Sequence, residues 1–206
     1  MTKQAYVVRS GGQHFGDYDG TFLTNIAGLS KNGKVSIQYT LQLLKELVDS
    51  GLVNLSRHPF KNSPFRRAKE TATILAEGQL CETVERLGPM HESSWNFLRD
   101  NFPDAVWCNI GKLFENQAVG LLHIEGESLF KAIIESISMI EPGETVVLVT
   151  HSRLIEAAMA IASEWKPPES EVKEGDIIVF NFDDDNNFIA DNPSTIFGHL
   201  RPSPEE

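Results

Sequence analysis

Residues 145–162 read TVVLVTHSRLIEAAMAIA. Thr145 to Thr150 is a short β-branched apolar run bounded by turn residues, the pattern of a strand buried on both faces. The chain then passes directly into RLIEAAMAIASEW, a helical segment stopped by KPP. A buried strand that feeds a helix at once is the repeating unit of parallel α/β sheets.

The same alternation recurs on both sides of this stretch. Tyr6 to Val8 reads as a buried strand, and the Gly-, Asp- and Asn-rich segment 12–32 as a loop. Ile37, Leu41, Leu44 and Val48 recur at helical spacing with Leu43 and Leu47 beside them, so 33–48 is a helix closed by Ser50-Gly51. LVNLSRHPFKN is ambiguous, because Pro59 limits a strand there to an edge or a break. In SPFRRAKETATILAEG, Ser63 is a natural N-cap, Pro64 suits the first helical position and Gly78 ends the helix. CETVERL suggests a strand, and residues 93–125 a helical insertion. GESLFKAIIESISMI is a helix placing Phe130, Ile133, Ile134, Ile137 and Ile140 on one face, and DIIVFNF is a further strand. The expected architecture is a single domain over 1–206, a three-layer α/β/α sandwich with a mainly parallel central sheet.

Bulk properties narrow the partners. The chain has 206 residues, 41% hydrophobic and 23% charged, enough for a full core without staples. Its net charge of −11 argues against nucleic acid or an anionic membrane, both of which need a basic footprint. Two cysteines, Cys81 and Cys108, exclude a disulfide framework and suit a reducing compartment. No signal peptide or membrane span is evident, and a cytoplasmic protein is expected.

In parallel α/β sheets ligands sit at the carboxyl ends of the strands. VVRSGG and LVTHSR end two strands in polar clusters; as neighbours they would bring Arg9, Ser10, His151 and Ser152 to one crevice. Arg9 offers a planar donor fork suited to two phosphate oxygens, or a partner for a surface carboxylate. His151 fits either a site or a backbone-satisfied core histidine. Arg66 and Arg67 open a helix, where cations oppose the dipole unless an anion is held nearby; otherwise they point into solvent. Glu92 is a candidate general acid, or a loop charge.

Taken together these segments resemble the histidine phosphatase superfamily, the phosphoglycerate-mutase-like group, over most of the chain. That family opens with a strand ending in Arg-His-Gly, where this chain has Arg9-Ser10-Gly11. Its second motif is similar to Ser63–Ala72, SPFRRAKETA, with the binding arginine at Arg67. Gly126-Glu127-Ser128 corresponds to a common helix start, and VVLVTHS supplies His151. The resemblance implies a phosphate pocket of Arg9, Arg67 and His151, with Glu92 as proton donor, and a small phosphorylated molecule or phosphate as partner. It implies neither cofactor nor metal. Fixed cationic donors stabilise the charge on a transferring phosphoryl group, a neutral imidazole can attack phosphorus, and a carboxylic acid then protonates the leaving alkoxide.

Position 10 departs from that pattern. The family's nucleophile is a histidine there, and a serine hydroxyl needs a base to attack. Three readings stay open: an engineered replacement that traps a ligand, a natural phospho-ligand-binding pseudophosphatase, or a serine activated by His151. His14 lies past two glycines and is a poor substitute. Arg153 would either add a phosphate contact or pair with Glu156. GQHFGDYDGTFLT stands where the family more usually has Glu-Thr-x-x-Asn, so different contacts to the rest of the substrate are expected, which argues against mutase chemistry. RSGGQHFG does not spell a dinucleotide fingerprint, and the scattered histidines give no metal-ligand spacing.

Overall fold

The computed structural model describes residues 2–12, 28–88, 90–102, 119–164, 171–189 and 193–196. The expected strand-helix alternation forms one six-stranded sheet. Strands β1 (Lys3–Arg9), β2 (Leu55–Asn62), β3 (Cys81–Thr83), β4 (Thr145–Thr150), β5 (Ile177–Phe182) and β6 (Ser194–Ile196) stand in the order β3-β2-β4-β1-β5-β6. The four strands from β3 to β1 are mutually parallel, β5 pairs antiparallel with β1 and β6 antiparallel with β5, so the sheet is mixed with a parallel centre.

Successive side chains of a strand face opposite sides, and here both sides are covered. Tyr6, Val8, Val147 and Val149 pack with Ile37, Leu41 and Leu44 of α1 (Lys31–Asp49) and Ala68, Ala72 and Leu75 of α2 (Arg66–Ala76). Ala5, Val7, Val146 and Leu148 pack with α4 (Val119–Ile137) and α5 (Ser152–Ala162). This is the three-layer sandwich. The fully buried β4 explains why its sequence shows no alternation.

Of the two alternatives open at Pro59, β2 takes the break: the strand lies inside the sheet, and a register shift between Leu55 and Phe60 absorbs the proline. Several other expectations shift. Ser63 is not the cap of α2, which starts at Arg66 with Phe65 at the N-cap; its hydroxyl has another partner. CETVERL is only partly strand, turning into a 3-10 turn at Glu85–Leu87. Within the expected insertion, α3 (Glu92–Asn101) is helical, and 103–118 lies outside the described residues. Gly126-Glu127-Ser128 does not start a helix but sits inside α4. A Cβ on Gly126 would come within 2.9 Å of the Ala157 backbone, so the glycine lets α4 approach α5 closely. Phe130, Ile133, Ile137 and Ile140 join the core face as expected, but Ile134 is exposed.

Candidate active site

The site forms where strands β2, β4 and β1 end side by side. Arg9 stands in register with Thr150, so Ser10 and His151 leave the sheet together, and the Ser10 amide donates to the Thr150 carbonyl at 2.8 Å. On the other flank, the Ser63 amide donates to the Val149 carbonyl at 2.9 Å. That places Ser63 and the start of α2 against the same opening.

His151 is buried and its ring is gripped from two sides. Arg67 approaches Nδ1 with Nη2 at 3.0 Å and Nε at 3.4 Å, while Nε2 faces Ser63 Oγ at 2.9 Å. A guanidinium has only donors, so Nδ1 is the acceptor. In the neutral ring the proton therefore sits on Nε2 and is donated to Ser63 Oγ. Ser63 Oγ also accepts from the Phe65 amide at 3.3 Å. The Phe65 ring meets the imidazole edge-on at 5.4 Å between centroids. Burial, then Arg67, then Arg9 hold the His151 pKa well below the ordinary imidazole value.

Arg67 is itself strained electrostatically. Burial and the neighbouring Arg9 push its pKa down to about 10, with Glu174 acting in the opposite direction. The Glu174 carboxylate lies against the turn after β1: a Cβ on Gly12 would sit 2.4 Å from its Oε1. A side chain at position 12 would displace that carboxylate. The turn is tied to α2 as well, since the Gly11 amide donates to Thr71 Oγ1 at 3.2 Å.

Arg9 is aimed by a chain of contacts. Its Nη1 donates to the Val172 carbonyl and lies 3.8 Å from Glu171. The Val172 amide in turn donates to Glu156 Oε1 at 3.1 Å. Glu156 is fully buried and receives Arg153 Nη1 at 2.8 Å. Arg153 thus takes the second of its two expected roles, pairing with Glu156. Burial raises the Glu156 pKa, with Arg153 opposing that shift.

Arg9, Arg67 and His151 therefore converge, with Ser10 at the foot of the group. Ser10 Oγ is not bonded to His151, whose two nitrogens face Ser63 and Arg67. Arg66 turns away from the group and pairs with Glu70 at 2.8 Å. Glu92 occupies the first turn of α3 and is exposed. The turn before it is fixed by Glu125, whose carboxylate accepts from the His91 amide at 3.0 Å. His14 lies outside the described residues. Among the described residues, no group of three His, Cys, Asp or Glu side chains converges as a metal site requires, and no helix is long and apolar enough to cross a membrane.

Residues 29–191 match the family model of the histidine phosphatase superfamily, branch 1. The chain belongs to the histidine phosphatase superfamily. No curated protein matches it at the sequence level. Among solved structures, Mycobacterial hydrolase 1 superposes with a TM-score of 0.63 at 19% identity, covering 91% of this chain and 95% of that one. A mycobacterial glucosyl-3-phosphoglycerate phosphatase complexed with VO3 gives 0.60 at 18% identity, with coverage of 93% and 99%. A mutant phosphoserine phosphatase from Entamoeba histolytica, carrying alanine in place of one histidine and complexed with phosphoserine, gives 0.58 at 16%, with coverage of 88% and 91%. At these identities the likeness is one of fold.

Sequence reading missed three residues of this arrangement. Ser63 was assigned to capping because S-P before a helix is a strong N-cap signal. Glu174 and Glu171 carry no local signal. They reach the site only because β5 pairs with β1 and brings the preceding loop over Arg9.

Proposed function

We propose that this chain binds the phosphoryl group of a phosphomonoester between Arg9, Arg67 and His151, on a hydrolase scaffold whose hydrolysis is crippled at Ser10. The convergence of two guanidinium groups on one buried neutral imidazole carries the reading. Two cations held side by side gain stability from a shared dianion, and the guanidinium fork suits its oxygens. Neighbours of the same fold include phosphatases solved with VO3 or phosphoserine, which supports a phosphorylated small molecule as ligand.

The chemistry beyond binding depends on position 10. His151 has no free ring nitrogen to offer, since Nδ1 accepts from Arg67 and Nε2 carries the proton given to Ser63. It is therefore poorly placed either to attack phosphorus or to activate the Ser10 hydroxyl. Glu92 would protonate a leaving alkoxide in a catalytically complete relative; its exposed place on α3 requires the ligand to reach across the mouth of the site. No metal or cofactor enters this reading.

The test is hydrolysis of p-nitrophenyl phosphate by the protein and by Ser10→His. Turnover by the histidine variant alone supports a scaffold missing only its nucleophile. Turnover by the protein itself at the level of the variant overturns the crippled reading. If neither turns over while inorganic phosphate raises the melting temperature, the pocket serves recognition without catalysis.

A further inference from the structure

The turn before β5 carries an acid to the proposed phosphate pocket, where charge alone would make it unwelcome. Residues 172–176 are bound to the last residue of β1 from several sides. The Arg9 amide donates to the Asp176 carbonyl at 3.1 Å, and the Gly175 amide donates to the Arg9 carbonyl at 3.0 Å. The Arg9 guanidinium donates to the Val172 carbonyl. The turn also closes on itself, since the Lys173 amide donates to Asp176 Oδ2 at 2.6 Å and the Asp176 amide to the Lys173 carbonyl at 2.9 Å. Helix α1 fixes it from behind, with Thr40 Oγ1 donating to the Gly175 carbonyl at 2.8 Å. Glu174 stands at the tip, and Gly175 makes the bend at a φ of 76°, in the left-handed region open to glycine. Its place is therefore set by the main chain around it.

The Glu174 side chain is half-buried and turns both carboxylate oxygens toward Gly12, two residues beyond Ser10. A Cβ on that glycine would stand 2.4 Å from Oε1 and 2.7 Å from Oε2. The Gly12 carbonyl accepts from the Ser30 amide at 2.8 Å, so the surface under the carboxylate is itself held. From there the negative field of Glu174 reaches the Arg67 guanidinium and opposes that of Arg9. A carboxylate so placed steadies two neighbouring guanidinium groups, and it repels any anion that arrives between them. The repulsion turns to attraction in one case. An oxyanion that carries a proton can donate it as a hydrogen bond, and an ionised carboxylate has only acceptors to meet it with.

We propose that Glu174 is a specificity-determining residue that accepts a hydrogen bond from a protonated phosphoryl oxygen, so that the pocket selects proton-bearing oxyanions over fully deprotonated ones of the same shape and charge. This presupposes that the phosphoryl group sits between Arg9, Arg67 and His151, as proposed above. Monohydrogen phosphate and sulfate are the discriminating pair. Both are tetrahedral and doubly negative, and only phosphate has an O–H. Arg9 and Arg67 have only donors and treat the two alike. Glu174 does not: against sulfate its carboxylate meets an oxygen with no hydrogen, and a site built to pair a ligand hydroxyl rejects the analogue that lacks it. A phosphomonoester would be held with one proton between its oxygen and Glu174.

The test is calorimetric titration of the full chain with inorganic phosphate and with sulfate, at mildly alkaline pH and fixed ionic strength, for the parent, Glu174→Gln and Arg67→Ala. The parent should bind phosphate about tenfold or more tightly than sulfate, the effect of one charge-assisted hydrogen bond. In Glu174→Gln the side-chain amide donates to sulfate as readily as it accepts from phosphate. Sulfate should therefore gain, and the two affinities should come within about threefold of each other. The turn is held by main-chain contacts and by Asp176, so this change leaves the fold intact. Equal affinities for the two anions in the parent would overturn the proposal. So would equal gains for both in Glu174→Gln, because the carboxylate then only repels charge. In either of those cases a loss of both anions in Arg67→Ala leaves the phosphate pocket standing. Phosphate that fails to bind the parent, or that binds Arg67→Ala unchanged, removes the pocket and the role of Glu174 together.

Discussion

Replacing Arg67 probes the proposed phosphate pocket most directly, because its guanidinium would meet the ligand and also sets the state of His151. Arg67→Ala removes the donor fork from the proposed dianion site. A hydrogen bond involving a charged group is worth about 1.5–3 kcal/mol, and each 1.36 kcal/mol is a factor of ten. The dissociation constant for inorganic phosphate should therefore rise by about ten- to a hundredfold. The same change deprives His151 Nδ1 of its donor and removes the second largest cause of its lowered pKa. The imidazole should then titrate higher, still below its ordinary value because burial persists. Arg67→Lys keeps a positive charge without the planar fork, so it should bind phosphate with intermediate affinity. Calorimetry at fixed low ionic strength measures the affinity, and proton NMR of the His151 ring measures its titration. Phosphate binding to Arg67→Ala within about threefold of the parent, a loss under 1 kcal/mol, would refute the convergent site. An unmoved His151 would refute the contact that the tautomer assignment rests on.

Four further outcomes follow from named contacts. Sulfate, which takes up no proton near neutrality, should bind more tightly as pH falls, by up to about tenfold per pH unit. A bound dianion that draws the Arg67 guanidinium off Nδ1 opens that nitrogen to a proton and raises the depressed His151 pKa, so protonation accompanies binding; a flat profile by calorimetry counts against this. For Glu156 the folded pKa is raised, so its contribution to stability is present below the unfolded value and is lost as pH rises through the folded one. The melting temperature of Glu156→Gln relative to the parent should accordingly climb from acid to mildly alkaline pH, and a falling difference would contradict the shift. Glu92→Gln in a Ser10→His background should cut p-nitrophenyl phosphate turnover by about 10²-fold or more with phosphate affinity unchanged; equal loss of both would remove it as the acid. Gly126→Ala gains up to about 1 kcal/mol of helix propensity, but its Cβ would meet the Ala157 backbone at 2.9 Å. Overpacking of about 1–3 kcal/mol should win and lower the melting temperature, whereas a rise would mean that α4 and α5 separate freely.

The legible part of this fold is the part fixed by local chemistry. The unbroken apolar run of β4 announced a doubly covered strand, and its neighbours followed from the alternation with helices. The convergence of Arg9, Arg67 and His151 was readable because each follows or opens an element at the carboxyl end of the parallel strands. Ser63 was misread because a hydroxyl before S-P-x-R caps a helix far more often than it accepts from a distant imidazole. Gly126 resembled a helix start because Gly-Glu-Ser is permissive at an N-terminus, yet its value lies in a contact between two helices that no local pattern encodes. Pro59 was legible as a choice between an edge and a break. The rule against proline in central strands held for the hydrogen-bond ladder, and the chain met it by bulging rather than by moving the strand to an edge.

Position 10 then bears on everything else at the site. A serine activated by His151 would need one imidazole nitrogen facing Oγ with its lone pair free. Freeing Nδ1 means withdrawing Arg67, which leaves a guanidinium beside Arg9 without its acceptor. Freeing Nε2 means moving the proton to Nδ1, directly against the donors of Arg67. Either rearrangement dismantles the group that would hold the phosphoryl oxygens, so activating Ser10 and binding its substrate compete. An imidazole at position 10 escapes the conflict, because it brings its own lone pair and leaves His151 in place. On the proposed reading, the surrounding residues would support an imidazole nucleophile at position 10, and binding is what they would perform with Ser10 in its place.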